Sequence, residues 1–371
     1  MKEDEHLYTL ILSRTPGIGL IGAHHLLSTV GNAKDIVLHA KELAREIPGF
    51  PDKAVEALCR PDLLQLCEAE LSFAEKNGIQ CLIHSDNAYP SRLRECPDAP
   101  IALFYKGNAD LNSLHIVSIV GTRHATDYGK ETCSRFIHEL KELMPDVIIV
   151  SGLAYGIDVQ AHRAALENGL ATIGVLAHGL DRIYPATHRR TAVEMLEQGG
   201  LLTEFTSGTN PDKQNFVKRN RIVAGISDAT IVVESAEKGG SLITADIAES
   251  YHKDCFAFPG RISDTFSIGC NNLIRQNKAA LLQHAEDFVK AMCWDVENKK
   301  PEAIQRQLFP DLSPDETKIV QLLEKEPEGK QINTLVVESN IAINRLTGIL
   351  FELEMKGVIR AMAGGMYKLL A

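Results

Sequence analysis

The sequence predicts an α/β protein whose main part is a doubly wound, Rossmann-like parallel sheet, flanked by a small helical N-terminal domain and a winged-helix-like C-terminal domain. Two observations predict this fold class. In the middle of the chain, short continuous Val- and Ile-rich runs alternate with amphipathic segments, and such runs are typical of strands buried on both faces of a parallel sheet. On either side, apolar residues recur at helical spacing. The 371 residues suit about two or three domains.

Residues 1–80 are predicted to form a helical domain of the helix-hairpin-helix or SAM-like kind. This segment is rich in Leu, Ala and Glu, and Pro-Gly turns interrupt it at 15–19 and 47–51. The first turn resembles the hairpin of a helix-hairpin-helix module, where backbone N–H groups at a helix N-terminus can hold a phosphate. The alternative is that the Pro-Gly pairs only turn a small bundle. The excess of acidic over basic residues here favours the second interpretation.

Residues 81–290 are predicted to form an extended Rossmann domain. It begins with a turn-rich connector at 81–110, in which 101–105 are predicted to be an edge strand. The buried strands are predicted at 115–120, 147–150, 171–177, 200–205, 229–233 and 255–258. The amphipathic segments between them include 127–143, 156–166 and 189–197. Strand–helix alternation of this kind builds a parallel sheet that is covered by helices on both faces.

The end of the chain is predicted to carry a linker at 291–312, which contains two prolines and mixed charge, and a winged-helix-like domain at 313–371. The elements of that domain are predicted as helices at 315–324, 332–338 and 341–356, then a two-stranded wing at 357–370 that turns at Gly364-Gly365. The predicted recognition helix has few cations, whereas a reader of the DNA major groove usually presents a basic face. We therefore expect this domain to contact protein or only to assist in binding DNA.

The net charge of −10 argues against a broadly basic surface, so a nucleic-acid site has to rest on a local patch. Residues 210–221 form such a patch, with a local charge of +3. Its charged residues are Lys213, Lys218, Arg219 and Arg221 against Asp212.

We interpret this patch as a loop in which Phe216 lies among the cations. That combination is typical of proteins that grip single strands, because cations follow the backbone and an aromatic ring stacks on a base. Two alternatives stay open. Phe216 is tucked into the core below a solvated loop, or Arg219 and Arg221 are structural and pair with acidic residues.

Three further turns follow predicted strands and contain glycine. They hold Gly121-Thr122-Arg123, Ser151-Gly152 and, at the start of a helix, Gly239-Gly240-Ser241. In an open parallel sheet the ligand binds beyond the carboxyl ends of the strands, and glycine lets the backbone approach a phosphate closely. We therefore expect the three turns to form a phosphate-binding rim.

The patterns of common enzymes and metal proteins are weak in this sequence. None of the three turns is G-x-G-x-x-G or G-x-x-x-x-G-K-[ST], which disfavours NAD binding and ATPase activity, and the G-x-S-x-G elbow of hydrolases is absent. Asp158 and His162 share a helix face, and we expect them to hold the turn between Gly152 and Gly156. Cysteine and histidine spacings predict no metal site. We expect no cofactor and no enzymatic activity.

The composition also predicts a cytoplasmic protein without membrane association. The first residues are acidic, unlike the basic start of a secretion signal. No apolar run reaches the ~20 residues that span a bilayer. The eight cysteines include no C-x-x-C pair, which fits a compartment where thiols stay reduced.

Five motifs in the middle of the chain occur in the order of a known family. They are Ile119-Val-Gly-Thr-Arg123 with Tyr128-Gly129, Ser151-Gly-Leu-Ala-Tyr-Gly-Ile-Asp158 with Ala161-His162, Gly179-Leu-Asp-Arg-Ile-Tyr-Pro185, Arg219-Asn-Arg-Ile222 and Gly239-Gly-Ser-Leu-Ile-Thr-Ala245. Over about 81–290 the sequence therefore resembles the DNA-processing protein A (DprA/Smf) family. The flanking segments resemble the helical and winged-helix-like domains of that family. The chain departs from the family at Tyr155, where many members have arginine, so one cation is missing.

The resemblance implies a bacterial protein that binds incoming single-stranded DNA during natural transformation. It implies that the protein protects the strand, loads RecA recombinase onto it while displacing single-strand-binding protein, and acts as a homodimer through the Rossmann domain. In the implied site, Arg123 clamps a phosphate, and Phe216 or Asn215 meets a base. The other implied contacts are Lys213, Arg219 and Arg221 along the pocket, Gly121, Thr122, Ser151 and Asn220 beside it, and Gly152, Gly239, Gly240 and Ser241 as its floor.

A function of a different class is the alternative. The same Rossmann variant resembles nucleoside-monophosphate phosphoribohydrolases, whose Gly-Gly-x-Gly-Thr-x-x-Glu turn is similar to Gly239-Gly-Ser-Leu-Ile-Thr-Ala245. Here the second Gly-Thr is absent, and Ala245-Asp246 replaces the expected glutamate spacing. A third alternative, a purely structural adaptor, leaves the basic segment around Phe216 without a role.

Overall fold

A computed structural model describes residues 2–47, 50–58, 60–294, 312–326, 329–362 and 365–370. The chain divides into two compact units, Met1–Trp294 and Asp295–Ala371. Most of the predicted linker at 291–312 lies outside the described residues, as does Gly364 of the predicted wing turn. No helix among those described is both long enough and apolar enough to cross a bilayer.

The larger unit is built on one mixed sheet. Its strands are β1 (Gln80–Ile83), β2 (Ala102–Gly107), β3 (Ile116–Val120), β4 (Ile148–Ser151), β5 (Thr172–Val175), β6 (Gly199–Thr203), β7 (Ala229–Val232), β8 (Asp254–Ala257) and β9 (Ala280–Leu281). Within the described residues they pair in the order β1-β2-β6-β5-β4-β3-β7-β8-β9. From β6 to β9 in that order the strands are parallel, and β1 and β2 pair antiparallel at one side. Along the chain, β4, β5 and β6 are added on one side of β3, and β7, β8 and β9 are added on its other side. This order confirms the doubly wound sheet.

The central strands were predictable because both of their faces are covered. In β3, Ile116 and Val120 pack in the core on one face of the sheet, whereas Val117 and Ile119 pack in the core on the other face. Every residue of β3 is buried. A strand enclosed on both sides therefore appears in the sequence as a continuous apolar run.

The strand predicted at 101–105 is not an edge strand. β2 pairs with β1 on one side and with β6 on the other, so the edge position belongs to β1, which the sequence pattern assigned to a connector. β1 has four residues, and two of them are buried. The strand β9, at the opposite edge, has two residues, both exposed. Patterns this short do not identify a strand.

The helices of the larger unit cover the faces of the sheet and the side that carries β1 and β2. In chain order they are α1 (Lys2–Arg14), α2 (Leu20–Val30), α3 (Ala33–Leu38), α4 (Ala40–Glu46), α5 (Asp52–Leu58), α6 (Pro61–Lys76), α7 (Ser91–Arg94), α8 (Asp127–Leu143), α9 (Ile157–Glu167), α10 (Arg189–Glu197), α11 (Lys213–Ile226), α12 (Gly240–Ser250), α13 (Ile268–Arg275) and α14 (Ala285–Ala291). α8 and α10 have the predicted bounds, and α9 is shifted by one residue.

The N-terminal helices share a core with the sheet. Leu10 and Ile11 of α1 lie in one apolar cluster with Ala102 and Phe104 of β2. The domain boundary predicted at residue 80 therefore runs through a common core. The Pro-Gly turn at 15–19 joins α1 to α2, as predicted for either interpretation of that segment.

The smaller unit has winged-helix architecture. Its elements are α15 (Pro314–Glu324), β10 (Lys330–Gln331), α16 (Ile332–Ser339), α17 (Ile343–Met355), β11 (Ile359–Met362) and β12 (Met366–Leu369). The described strands pair in the order β10-β12-β11, so β11 and β12 form the predicted two-stranded wing, and a further strand pairs with β12. The additional strand, β10, has two residues, too few to show the alternation of a strand.

Candidate functional site

A pocket of about 970 Å³ lies beyond the carboxyl ends of β3, β4 and β7, where the sheet changes direction. We call it the switch-point pocket. Its lining includes eleven of the fourteen predicted site residues, namely Gly121, Thr122, Arg123, Gly152, Lys213, Phe216, Arg219, Asn220, Gly239, Gly240 and Ser241. Open α/β sheets bind their ligands at such a position. The structure therefore brings the three glycine-bearing turns and part of the basic segment to one place.

The turn after β3 is held rigidly. The backbone N–H of Thr122 donates to the carbonyl of Glu234 at 2.7 Å, and the N–H of Ile157 donates to the carbonyl of Thr122 at 3.2 Å. A Cβ on Gly121 would lie 2.5 Å from Cγ1 of Ile157, so only glycine fits there. Arg123 follows this fixed turn with its side chain exposed, which places a cation at the mouth of the pocket.

The basic segment that was predicted to be a loop is mostly a helix. α11 starts at Lys213, and the side chain of Asp212 caps it by accepting from the N–H of Asn215 at 2.9 Å. The composition obscured this helix, because cations and amides occupy most positions of its first two turns. The helical period places Lys213, Phe216 and Asn220 along the pocket and turns other members of the segment away.

Three predicted site residues do not line the pocket. Arg221 donates from Nη1 to the carbonyl of Asp98 at 2.8 Å and pairs through Nη2 with Glu204. Burial raises the pKa of Glu204, and the positive charge of Arg221 opposes that shift. Pairing of Arg221 with an acidic residue was an open alternative, and it is the one that the structure shows.

The other two are buried supports of the loops around the pocket. Asn215 donates from Nδ2 to the carbonyl of Asn210 at 3.1 Å, which holds the segment before α11. Ser151 donates from its hydroxyl to the carbonyl of Ile119 at 2.6 Å, across neighbouring strands. These two hydrogen bonds are made within the protein, and neither residue lines the pocket.

Arg219 forms the floor of the switch-point pocket. It is 3% exposed, and its Nη1 donates to the carbonyl of Val175, while Nε has no partner within the described residues. Gly152 leaves room for it, since a Cβ there would lie 2.1 Å from Nη1. Burial lowers the pKa of Arg219 to about 10, and the negative charge of Asp158 opposes the shift. The guanidinium therefore stays charged at neutral pH.

Aromatic rings lie beside these cations. The guanidinium of Arg123 is 4.9 Å from the centre of the half-buried Phe216 ring, and that of Arg219 is 5.8 Å from it. The exposed Tyr184 ring is 6.0 Å from Phe216 and also lines the pocket. Sequence reasoning gave Tyr184 no role, although it lies in the quoted motif at 179–185. An aromatic residue within that motif was the available signal.

The third wall is the beginning of α12. Gly239 precedes it without a side-chain cap, and Gly239, Gly240 and Ser241 line the pocket. Ser241 is held in place by a hydrogen bond from its hydroxyl to that of Ser235, at 2.9 Å. An uncapped helix N-terminus is favourable for anions, because N–H groups and the helix dipole both present positive charge.

The exposed charge at the pocket is mainly positive. In the described part of the chain, Arg123, Lys213 and Lys238 form no ion pair. Three carboxylates also line the pocket. Asp246 accepts from Lys278 at 2.8 Å, burial raises the pKa of Asp158, and the exposed Asp212 caps α11. The arrangement can therefore neutralise a polyanion at its rim.

His162 supports the pocket from below. Its Nε2 accepts from the N–H of Leu153 at 3.3 Å, and its Nδ1 lies 2.7 Å from the hydroxyl of Thr172. Burial, together with the positive charge of Arg219, lowers the pKa of His162 to about 3. A neutral imidazole that anchors the 152–156 turn matches the structural role that the sequence predicts for it.

The fold and the site define a Rossmann-type protein with a positively charged, aromatic-lined pocket at the switch point of its sheet and a separate winged-helix unit. Two family models identify it further. The model for DNA recombination-mediator protein A matches residues 80–293, and the model for the DprA winged helix domain matches residues 304–365. The chain belongs to the DprA/Smf family of DNA-processing proteins.

Known relatives agree with this assignment. DNA processing protein DprA of Streptococcus pneumoniae is 42% identical over 204 residues, which cover 55% of this chain and 71% of the relative. Protein Smf of Escherichia coli is 30% identical over 98% of this chain and 95% of the relative.

Two solved structures agree as well. The X-ray structure of S. pneumoniae DprA has a TM-score of 0.61 and 35% identity, and it covers 78% of this chain and 97% of that one. A structure of DNA processing protein A from Helicobacter pylori, reported for its single-stranded DNA binding mode, has a TM-score of 0.53 and 30% identity. It covers 58% of this chain and 96% of that one.

Proposed function

We propose that this chain binds single-stranded DNA in the switch-point pocket. The observation that carries the proposal is the meeting of Arg123, Lys213 and Phe216 with the uncapped start of α12 in one pocket. Cations and N–H groups are suited to the phosphates, and Phe216 and Tyr184 offer surfaces for stacked bases. The H. pylori relative, whose structure was reported with its single-stranded DNA binding mode, supports the same ligand.

A single strand suits this pocket better than a duplex. The aromatic rings lie inside the rim, and Arg219 lies below them with 3% of its surface exposed. Bases reach such rings only when they are unpaired, since a duplex presents its phosphates outwards and keeps its bases stacked. We therefore expect preference for single strands and little discrimination between bases, because the faces of all bases stack.

The cellular role that we propose follows from the family. The chain would protect incoming single strands during natural transformation and load RecA recombinase onto them, displacing single-strand-binding protein, as a cytoplasmic homodimer without a cofactor. Membership of the DNA recombination-mediator protein A family supports this role. Its test is the rate of RecA ATP hydrolysis on strands coated with single-strand-binding protein. Unchanged hydrolysis on adding this chain would refute loading without refuting binding of the strand.

We also propose that the protein is not an enzyme. Base release from a nucleoside monophosphate, the alternative, needs an acid or base in reach of the ligand. The carboxylates in the pocket lining are engaged within the protein: Asp158 is buried beside Arg219, Asp212 caps α11, and Asp246 accepts from Lys278. The neutral, enclosed His162 does not supply an acid or base either.

The decisive experiment compares a labelled single strand of about 20 nucleotides with the matching duplex, and in parallel assays adenine release from AMP. We expect the single strand to bind more tightly than the duplex, and we expect no release of adenine from AMP. Release of adenine without a single-strand preference would overturn the proposal.

A pair of charge reversals on α11 locates the site. Lys213 lines the pocket, whereas the equally exposed Lys218 does not. We expect Lys213→Glu and Arg123→Glu to weaken strand binding by roughly tenfold or more, because each turns an attraction into a repulsion at a phosphate. Lys218→Glu carries the same change of net charge and should have a much smaller effect. Equal losses in Lys213→Glu and Lys218→Glu would place the strand elsewhere.

A further inference from the structure

A second pocket, of about 420 Å³, lies on the other side of Arg123. We call it the Tyr155 pocket. It is lined by Arg123, His124, Ala125, Lys130, Tyr155 and Gly156. Arg123 and His124 line the switch-point pocket as well, so the two cavities are adjacent and the Arg123 guanidinium stands between them.

Tyr155 is held in place and yet open to a ligand. Its ring lies 5.0 Å from the ring of His188, at an angle of 71°. His188 is itself buried and donates from Nδ1 to the carbonyl of Leu153 at 2.9 Å. Nevertheless 47% of Tyr155 is exposed. Tyr155 therefore combines a ring that contacts His188 with a surface that a ligand can reach.

The position of Tyr155 relative to Arg123 is fixed by the backbone. Gly156 has a φ of 79°, and a Cβ on it would lie 2.1 Å from the carbonyl oxygen of Thr122. The N–H of Ile157 donates to that same oxygen at 3.2 Å. The turn that carries Tyr155 is thus locked against the turn that carries Arg123, so the backbone positions of the two residues are fixed relative to each other.

We infer that the Tyr155 pocket is a second nucleotide subsite, in which Tyr155 stacks on the base next to the one held at Phe216. This inference rests on the proposed binding of single-stranded DNA. In a strand, one phosphate joins each base to the next, and Arg123 stands between the two pockets where that phosphate has to pass. The strand runs from the switch-point pocket over Arg123 to Tyr155. Lys130 also lines the second pocket, where it pairs with Asp127 at 3.0 Å, so Arg123 is the phosphate contact of this subsite.

Substitution of Tyr155 in the full chain tests the subsite. Loss of one base–aromatic stack typically weakens binding by about fivefold or more, so we expect that loss for Tyr155→Ala on an oligothymidylate of about 20 nucleotides. Tyr155→Phe keeps the ring and should bind almost as wild type. The matched control is Tyr128→Ala, because Tyr128 is 48% exposed on the neighbouring α8 and lines neither pocket.

A photochemical measurement on the wild-type chain gives an answer even if Tyr155→Ala does not fold. Oligothymidylate in which 5-iodouracil replaces one base is irradiated on the protein, and the attached residue is identified by mass spectrometry. We expect attachment at Tyr155. Binding of Tyr155→Ala within about twofold of wild type, or attachment elsewhere without any at Tyr155, overturns the subsite. Failure of the wild-type chain to bind the strand at all refutes the proposed function instead.

Discussion

Replacing Arg221 by methionine should destabilise the larger unit and leave strand binding intact. Arg221 lies outside the pocket, and 9% of its side chain is exposed. It donates to the carbonyl of Asp98 and pairs with Glu204. Methionine retains much of the apolar volume of the stem but leaves both acceptors without this donor.

The size of the expected loss of stability follows from the burial of Glu204. Its side chain is 14% exposed, and its Oε1 already has no partner in the described part of the chain. Removing one member of a buried ion pair typically costs about 3–5 kcal/mol, because the other charge is left uncompensated. For a unit of this size we take about 2 °C of Tm per kcal/mol, so the expected fall in Tm is roughly 6–10 °C.

The loss should become smaller in acid. Burial raises the pKa of Glu204, and Arg221 opposes that rise, so the pKa is higher still in Arg221→Met. When the pKa of a carboxyl group is higher in the folded than in the unfolded state, the folded state binds more protons at any pH between the two pKa values. The stability of the fold therefore increases as the pH falls through that interval. Because the pKa of Glu204 is higher in the variant, acid should stabilise the variant more than wild type, and the difference between their Tm values should become smaller.

Differential scanning calorimetry of the full chain measures both effects. Lys213→Met is the matched control for Tm, since it removes an exposed cation from the same helix and should change Tm by at most about 1 °C. Strand binding is measured well below the transition. A fall in Tm of less than about 2 °C, or a large loss of strand affinity in folded Arg221→Met, would contradict the assignment of Arg221 to the scaffold.

Other substitutions test the pocket and the winged-helix unit. Gly152→Ala would place a Cβ 2.1 Å from Nη1 of Arg219, so Arg219 must move. We expect this variant to bind the strand roughly tenfold more weakly in a fluorescence-anisotropy assay. The control Gly348→Ala should bind it unchanged, because a Cβ there meets nothing within 4 Å. Tyr184→Ala should weaken strand binding by about fivefold, and unchanged affinity would remove Tyr184 from the site. In the winged-helix unit, Arg345 pairs with Asp315 and Lys356 with Glu316. We therefore expect residues 313–371 alone not to bind duplex DNA at micromolar concentration in ~0.15 M salt. Micromolar affinity in a gel-shift assay would show the reasoning to be wrong.

The fold could be predicted where burial leaves a long pattern in the sequence. α8 has the predicted bounds because 17 residues repeat the helical period and Thr126 caps the helix. The central strands were found because helices cover both of their faces. β1, β9 and β10 were missed because two to four residues cannot show a period, and their pairing depends on strands far away in the sequence.

The site could be predicted in part for a different physical reason. The carboxyl ends of parallel strands meet at one edge, so the turns at 121–123, 151–152 and 239–241 could be brought together from strand order alone. The inner arrangement could not. Arg219 and Arg221 are two residues apart, yet one forms the pocket floor and the other reaches Glu204. The two side chains reach different places because α11 turns between them, and the number of charges in the segment does not predict that turn.

This separation has a measurable consequence for the salt dependence of binding. If every cation of the 210–221 segment contacted phosphate along with Arg123 and Lys238, six phosphates would be neutralised, and the slope of log affinity against log salt would be about −4, at about −0.7 per phosphate. Within the residues that the structure describes, three exposed cations of the pocket lining form no ion pair, Arg123, Lys213 and Lys238, which gives a slope of about −2. Lys213→Ala should reduce its magnitude by about 0.7, and Lys218→Ala should not. A wild-type slope near −4 would mean that the strand follows the outer face of α11, and the pocket would then be at most one end of a longer site.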